Sequence, residues 1–322
     1  MTMRDTVFKT LNKIGVSKAL RWAKGQSITV ISLHRVSEQR DFFFDPIDPK
    51  TFEKMIESYS KHYHITSFKD ISQKTTKPKL ILSFDDGYYD FIEYALPILK
   101  KYGLPCNHNL VNACLSNNSV IWTQKLNDIF NHLKKNNIVK NEIIDKTGST
   151  FNNDWIAYYI SFFKELLKLD SANRNAILED LACAYNIRSN YRMLNWEDAK
   201  NCVENYDVEI GCHTFNHESL LSITKQNELE LEIGNSIDEL EEKLGIKVNI
   251  LALPNGQFND TVIAYARSIG IKYTLLHNDK VTPEKSLNDH FNLINRIILV
   301  NESVDEAMLR TELFHTNFRK IL

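Results

Sequence analysis

Asp85 and Asp86 stand side by side at the end of an apolar run, Leu80-Ile81-Leu82, and Gly87 follows them. Side chains alternate faces along a strand, so adjacent acids diverge unless the chain turns there. Gly87 permits that turn. Two carboxylates at the end of a buried strand are costly without a partner. A cation or a proton-transfer role accounts for them; so does a helix N-cap in which one Asp caps the residues from Tyr89 onward. A second pair, His213 and His217, sits four residues apart in Gly211-Cys212-His213-Thr214-Phe215-Asn216-His217. On a helical turn such residues share a face, and two imidazoles on one face make half of a metal site. Glu218 has the wrong offset to join them. Many surface pairs of this kind bind nothing, but one Asp and two His together make the three-ligand, open site of hydrolytic zinc. The other Asp is then free to act as a general base.

The elements that must position these residues read as repeated strand–helix units. Ile28 to Leu33 is a β-branched, apolar strand ending at His34-Arg35, and the Asp85-Asp86 strand follows a helix opened by Asp48-Pro49. Leu104 to Val111 is expected to be the next strand, although Asn107, His108 and Asn109 are unusually polar for one. After a gap the rhythm resumes. Val208 to Gly211 runs into His213, Thr224 opens a long helix, and Val248 to Leu253 ends at Pro254-Asn255-Gly256. Lys272 to Leu276 and Leu293 to Val300 read as the last strands, the latter carrying Arg296. Such repeats imply a parallel sheet or barrel, with chemistry at the carboxyl ends of the strands. The gap, about 120–192, is Lys-, Asn- and Leu-rich and helix-patterned, and is expected to be a helical insertion.

Composition narrows the partners. The chain has 322 residues, 43% hydrophobic and 25% charged, so a globular core is expected. A net charge of −2 gives no general attraction to nucleic acid. The five cysteines form no CxxC pair and read as reduced thiols of a cytoplasmic protein. Residues 1–26 interleave apolar residues with Arg4, Lys9, Lys13, Lys18, Arg21 and Lys24, so they form neither a secretory signal nor a membrane span. They suit a basic amphipathic helix in peripheral contact with a membrane, or an ordinary helix packed on the barrel exterior. Residues 27–322 make up the barrel with its insertion.

Three stretches carry a resemblance. Ser83-Phe84-Asp85-Asp86-Gly87, His213-Thr214-Phe215-Asn216-His217 and Leu251-Ala252-Leu253-Pro254-Asn255-Gly256 resemble, in order, the first three motifs of the polysaccharide deacetylase family (carbohydrate esterase family four, the NodB-homology domain). The resemblance covers roughly residues 27–112 and 192–300. It implies an α/β fold, a distorted (β/α)7-type barrel, and a divalent metal, usually zinc. It also implies a hydrolase that removes an acetyl group from an N-acetylated or O-acetylated sugar or glycan intermediate. By the same resemblance Asp85 is the catalytic base, and Asp86, His213 and His217 are the metal ligands. The backbone N–H near Asn255, after Pro254, is an oxyanion contact.

The sequence also departs from the family pattern. Ala252 stands where an Arg often begins the third motif, as in the subgroup reading Phe-Ala-Tyr-Pro-Tyr-Gly. Arg296 is the candidate replacement, or else a structural ion pair. The C-terminal Leu-x-His that supplies the general acid is not evident. His34 is similar to the acid of circularly permuted members, and His277 is the alternative. The polar strand end Cys106-Asn107-His108-Asn109 either reshapes the sugar pocket or makes His108 a hydrogen-bonded core residue, the plainer reading, and Trp122, Tyr88 and Phe215 suit either sugar stacking or packing. Two rival functions remain: an amidohydrolase on a small non-sugar amide, and a catalytically silent carbohydrate-binding protein of the same fold. A cytoplasmic, lipid- or nucleotide-linked sugar is the substrate expected.

Overall fold

The computed structural model describes residues 2–117 and 119–317. The expected segments 1–26 and 27–322 extend past this at Met1, residue 118 and residues 318–322, which lie outside the described residues. Eight parallel strands form the frame: β1 (Ser27–Leu33), β2 (Lys79–Phe84), β3 (Cys106–Leu110), β4 (Val208–Cys212), β5 (Ile250–Ala252), β6 (Tyr273–Leu275), β7 (Asn292–Ile294) and β8 (Ile297–Ile298). They lie in the order β8-β1-β2-β3-β4-β5-β6-β7. The two ends of this order, β7 and β8, are separated in sequence only by Asn295 and Arg296. One short segment therefore pairs with β6 on one side and β1 on the other, and the sheet curls into a nearly closed barrel. Arg296 sits at that seam.

Helices occupy the connections. In chain order they are α1 (Met3–Lys13), α2 (Val16–Ala23), α3 (Pro49–His62), α4 (Leu96–Tyr102), α5 (Trp122–Lys135), α6 (Trp155–Leu166), α7 (Ser171–Ala184), α8 (Trp196–Asn205), α9 (Asn235–Leu244), α10 (Asp260–Ser268) and α11 (Val304–Thr311). Local chemistry sets their ends. Asp48 accepts the Thr51 N–H at 3.0 Å with Pro49 in the first turn of α3. Gly103 and Gly245 close α4 and α9 in the left-handed conformation. The helix expected from Thr224 begins at Gln226 and passes through a π-turn (Glu230–Gly234) before α9.

The period-two alternation of the strands separates two cores. Ile31, Leu33, Leu80, Leu82, Phe84, Leu110, Ile210 and Cys212 face outward and pack under α3, α4 and α8–α11. Ile28, Val30, Ile81, Ile250, Ala252, Tyr273, Leu275 and Ile294 face inward and fill the lower barrel with Phe68 and Ile71. Glu209 closes that lower end by accepting the backbone N–H groups of Phe68 and Lys69 at 2.6 and 2.8 Å. Further up, the inward positions become polar: Ser83, Asn107 and Asn109 are all buried.

Two additions flank the barrel. α5–α7 form a helical unit with its own apolar core, including Leu126, Phe130, Leu133, Phe162, Leu166 and Leu178. The chain leaves this unit along the turn after β2, where Leu194 N–H donates to Gly87 O at 2.8 Å and Tyr89 N–H to Arg192 O at 2.9 Å. At the other flank residues 3–23 are two helices, not one, divided at Gly15 with φ 90°. The hairpin packs against α11 through Phe8 and the pairs Arg4–Glu306 and Arg21–Glu312. No helix among the described residues is long and apolar enough to cross a membrane.

Candidate active site

Alternation brings the chemistry to one rim. His34, Asp85, His213, Pro254, His277 and Arg296 each lie two residues beyond an inward strand position (Ser32, Ser83, Gly211, Ala252, Leu275 and Ile294). Their side chains therefore converge above the polar layer of the barrel.

Asp85 is 1% exposed and Arg296 is 0% exposed. Arg296 Nη1 lies 2.8 Å from both carboxylate oxygens of Asp85, while its Nε donates to Leu276 O at 3.0 Å. Asn109 Nδ2 donates to the same carboxylate at 2.7 Å and to Phe84 O at 3.2 Å. Burial would raise the Asp85 pKa, but Arg296, with His213 and His34 beyond it, holds the carboxyl well below the ordinary carboxylate range. Asp85 is therefore fixed, ionised and aimed. The polar residues of β3 explain this arrangement: Asn109 shares a face with Asn107, which accepts from Ser83 Oγ at 2.7 Å. Gly211 is required beside them, since a Cβ there would lie 2.0 Å from Asn109 Oδ1.

Asp86 points elsewhere because the chain turns at Asp86 itself, with φ 78°, as well as at Gly87, with φ 84°. Its Oδ1 lies 3.4 Å from His213 Nε2 and 3.4 Å from His217 Nε2, and the three ligand atoms fall within 4.8 Å of one another. His213 Nδ1 meets Ala252 O at 2.9 Å, so that nitrogen carries the proton and Nε2 faces Asp86 with its lone pair. Asp86 Oδ1 is buried with no hydrogen-bond partner. A buried carboxylate facing two imidazoles without a close hydrogen bond suits a cation, and the one-carboxylate, two-imidazole donor set suits a borderline metal such as zinc. The residues fit a divalent metal.

The two histidines do not share a helical face as the spacing implies. Residues 213–217 form a loop with left-handed backbone at Thr214 (φ 63°) and His217 (φ 58°). Such conformations cost about 1–2 kcal/mol each for residues other than glycine and gather at functional sites. The loop is held from outside: Glu232 accepts the Asn216 N–H at 3.0 Å and its side-chain amide at 2.8 Å.

The remaining candidates surround this pair of centres. His34 is half-buried, packs edge-on to Phe44 at 5.4 Å, and lies close enough to Asp85 and Asp86 to draw both carboxyls down. His277 packs against Gly256, where a Cβ would meet its own Cβ at 2.6 Å. Burial first, and Arg296 next, push the His277 pKa down to about 4. Asn255 takes φ 54° in the turn after Pro254, and its Nδ2 is buried without a partner.

One expectation is corrected, and two open alternatives close. His108 is buried but not hydrogen-bonded: neither ring nitrogen has a partner, and the ring packs on Phe91 at 4.3 Å, on the outward face. Trp122 and Tyr88 are buried and engaged within the protein, so neither is a sugar platform; Phe215 is half-buried. Asn109 was missed as the partner of Asp85. Its signal was present in the sequence, as asparagines at alternate positions of a buried strand. A second acidic and histidine cluster, Glu302, Glu306 and His315, is no cation site, because Arg4 and Arg310 already occupy it.

Comparison with known proteins places this geometry. Residues 162–274 match the polysaccharide deacetylase family model, a span that takes in His213, His217 and the turn at Pro254. A search of curated proteins finds no match. Among solved structures, the fold is similar to that of the Streptococcus pyogenes deacetylase PplD in complex with acetate. That likeness has a TM-score of 0.58 at 17% identity, covering 89% of this chain and 98% of that one. IcaB from Ammonifex degensii is similar with a TM-score of 0.57 at 14% identity, covering 89% and 98%. A Bacillus cereus polysaccharide deacetylase, BC0361, gives 0.57 at 15% identity, covering 89% and 69%. The ordered motifs and the family match over residues 162–274 point the same way, and the barrel that sets the motifs on one rim is similar in fold to these solved deacetylases: the chain resembles the polysaccharide deacetylase family.

Proposed function

We propose that the protein is a metal-dependent carbohydrate deacetylase, hydrolysing an acetyl group from an N-acetylated or O-acetylated sugar or glycan intermediate. The observation that carries this reading is the adjacency of two buried centres made by consecutive residues: Asp85 held by Arg296 and Asn109, and Asp86 facing His213 and His217. Asp86, His213 and His217 would hold the metal. A bound divalent metal, with zinc as the first candidate, supplies Lewis acidity, polarising an acetyl carbonyl and making hydroxide available at neutral pH.

The chain's own residues do the rest. Asp85 accepts a proton from the attacking water. Its low proton affinity gives little thermodynamic pull, so its contribution is chiefly to orient that water, which the double anchorage by Arg296 and Asn109 suits. The backbone N–H at Asn255 donates to the developing oxyanion. His34 gives a proton to the departing amine or alcohol. His277 is the weaker choice of acid, because a group pushed down to about 4 is unprotonated at neutral pH. Arg296 beside Asp85 speaks against a silent carbohydrate-binding protein, since it occupies the role left open by Ala252.

The test is acetate release from N-acetylglucosamine oligomers and from a nucleotide-linked N-acetyl sugar, with ring opening of a small cyclic ureide followed alongside, after chelation and after zinc is restored. Zinc-dependent acetate release from a sugar is expected. Hydrolysis of the ureide alone would transfer the reading to a small-amide hydrolase, and turnover unaffected by chelation would overturn the metal assignment.

Membrane contact belongs to the same proposal. On α1, Met3 and Val7 share one helical face with Ile14 at its C-cap, all three are exposed, and Trp22 on α2 is 85% exposed. Exposed Lys9, Lys13 and Lys18 flank them, the pattern of a surface that lies on anionic lipid. Such contact at the cytoplasmic face of a membrane would bring the site to a lipid-linked sugar. Co-sedimentation with anionic but not zwitterionic vesicles, lost in Trp22→Ser with Ile14→Ser, is the expected result; equal sedimentation of the variant would refute it.

A further inference from the structure

The two imidazoles that would hold the metal are oriented by different means. His213 is aimed through its ring, by the Nδ1 contact with Ala252 O. His217 has no such support, since its Nδ1 lacks any partner, and its backbone is left-handed. A metal-ligating imidazole is normally fixed by a hydrogen bond at its second nitrogen. The aim of the His217 ring must therefore come from its main chain.

What holds that main chain is the helical insertion. Trp122, the first residue of α5, donates its indole N–H to His217 O at 3.0 Å. Arg174 on α7, 1% exposed, donates to Glu218 Oε2 at 2.8 Å and lies over the Trp122 ring at 4.6 Å. Phe163 on α6 stacks on the Trp122 ring, the two centroids 5.4 Å apart. All three insertion helices thus contribute to one grip on residues 217 and 218. The same unit also holds the Asp86 turn. Gly87 O accepts from Leu194 N at 2.8 Å, Tyr89 N donates to Arg192 O at 2.9 Å, and Tyr88 Oη donates to Gln124 Oε1 at 3.0 Å.

We propose that the insertion is a clamp for the metal centre, with Trp122 and Arg174 as positioning residues that aim His217 while residues 192–194 and Gln124 fix the Asp86 turn. The inference rests on the metal-ligand reading above and deepens it. Insertion docking and metal binding are then thermodynamically coupled: whatever loosens the one weakens the other.

The experiment uses the full chain and zinc itself. Trp122→Phe removes the indole N–H while keeping an aromatic ring against Phe163; Glu218→Gln weakens the Arg174 pair without touching the tryptophan. Zinc affinity is read by competition with a chromophoric chelator, and hydrogen exchange of residues 155–184 is followed with and without zinc. The expected result is an affinity loss of about 10–100-fold in each variant, the size seen for partners that support metal ligands. Zinc should also slow exchange in the wild-type insertion, and Trp122→Phe should add nothing in a His217→Ala background. Should Trp122→Phe fail to fold, Glu218→Gln carries the same expectation. Wild-type affinity in a folded variant, or an equal loss when His217 is already absent, would overturn the clamp while leaving the metal reading intact. A wild type that binds no zinc would overturn both.

Discussion

Replacing Arg296 by Met tests the base assignment at its most exposed point energetically. In the folded protein Arg296 and Asp85 are both removed from water, and one guanidinium nitrogen meets both carboxylate oxygens at 2.8 Å. Methionine fills much of the stem's volume but leaves Asp85 with Asn109 as its remaining side-chain donor, and leaves Leu276 O without Arg296 Nε. Breaking a buried pair by removing one partner costs about 3–5 kcal/mol, because an uncompensated charge stays behind. Against a typical total stability of about 5–15 kcal/mol the variant should still fold. Asp85→Asn in the wild type strands the arginine instead and should cost a similar amount. The double variant, Arg296→Met with Asp85→Asn, strands no charge. Its destabilisation should fall short of the sum of the singles by about 3 kcal/mol, at the upper end of measured couplings between contacting residues. Urea unfolding of the chelated protein at neutral pH supplies all four corners of the cycle, and chelation keeps metal binding from contributing. Acetate release should be lost in both singles and in the double, because the orientation of the base and the base itself are separately necessary. Additivity within about 0.5 kcal/mol would refute the reasoning, since it would mean that the two groups do not depend on one another. Full activity in Arg296→Met would refute the functional half alone.

Other substitutions separate neighbouring roles. Asp85→Asn should lower turnover by about 10²–10⁴-fold, the usual contribution of a general base, while elemental analysis still finds stoichiometric metal; His213→Ala should lose that metal. Gly211→Ala places a methyl 2.0 Å from Asn109 Oδ1 and 3.0 Å from Ile250 Cγ2, so it should cost about 1–3 kcal/mol by overpacking and also lower turnover by pushing Asn109 off Asp85. Gly103→Ala, with nothing within 4 Å of its Cβ but φ +61°, should cost about 1–2 kcal/mol of backbone strain and leave turnover unchanged. At a distance from the site, burial pushes the Glu302 pKa up to about 7 from 4.5, against the pull of Arg310. The folded state therefore keeps this proton where the unfolded chain has lost it. The stability this contributes is complete below about pH 4.5 and is lost as pH rises through about 7, by up to about 3 kcal/mol. The difference in unfolding free energy between wild type and Glu302→Gln should follow that slope across pH 4.5–7, and a flat difference would contradict it.

What the sequence disclosed and what it withheld divide along one physical line. Strand periodicity is a property of neighbours two apart, so the inward positions of β1, β2, β4, β5, β6 and β7 could be extrapolated one step to His34, Asp85, His213, Pro254, His277 and Arg296. That extrapolation is why the rim was legible without coordinates. The barrel followed from the same rhythm of strand and helix. The local geometry of the ligands was not legible in this way. Asp86, Thr214, His217 and Asn255 all adopt left-handed backbone, a choice that local propensity disfavours and that only contacts from elsewhere can enforce. Reading His213 and His217 as one helical face applied a local rule where tertiary contacts decide. The enforcing contacts come from far along the chain: Glu232 on Asn216, Ala252 on His213, and Trp122, across 95 residues, on His217. The insertion looked like a decoration because its helical pattern is self-sufficient, with its own apolar core. Its polar exceptions carried the information instead. Arg174 and Gln124 are buried on otherwise ordinary helices, and a buried polar side chain needs a partner; each of these two reaches one outside the unit, Glu218 and Tyr88. In this chain those partners lie beside the proposed metal ligands, so the residues that looked least suited to the insertion are the ones that tie it to the candidate site.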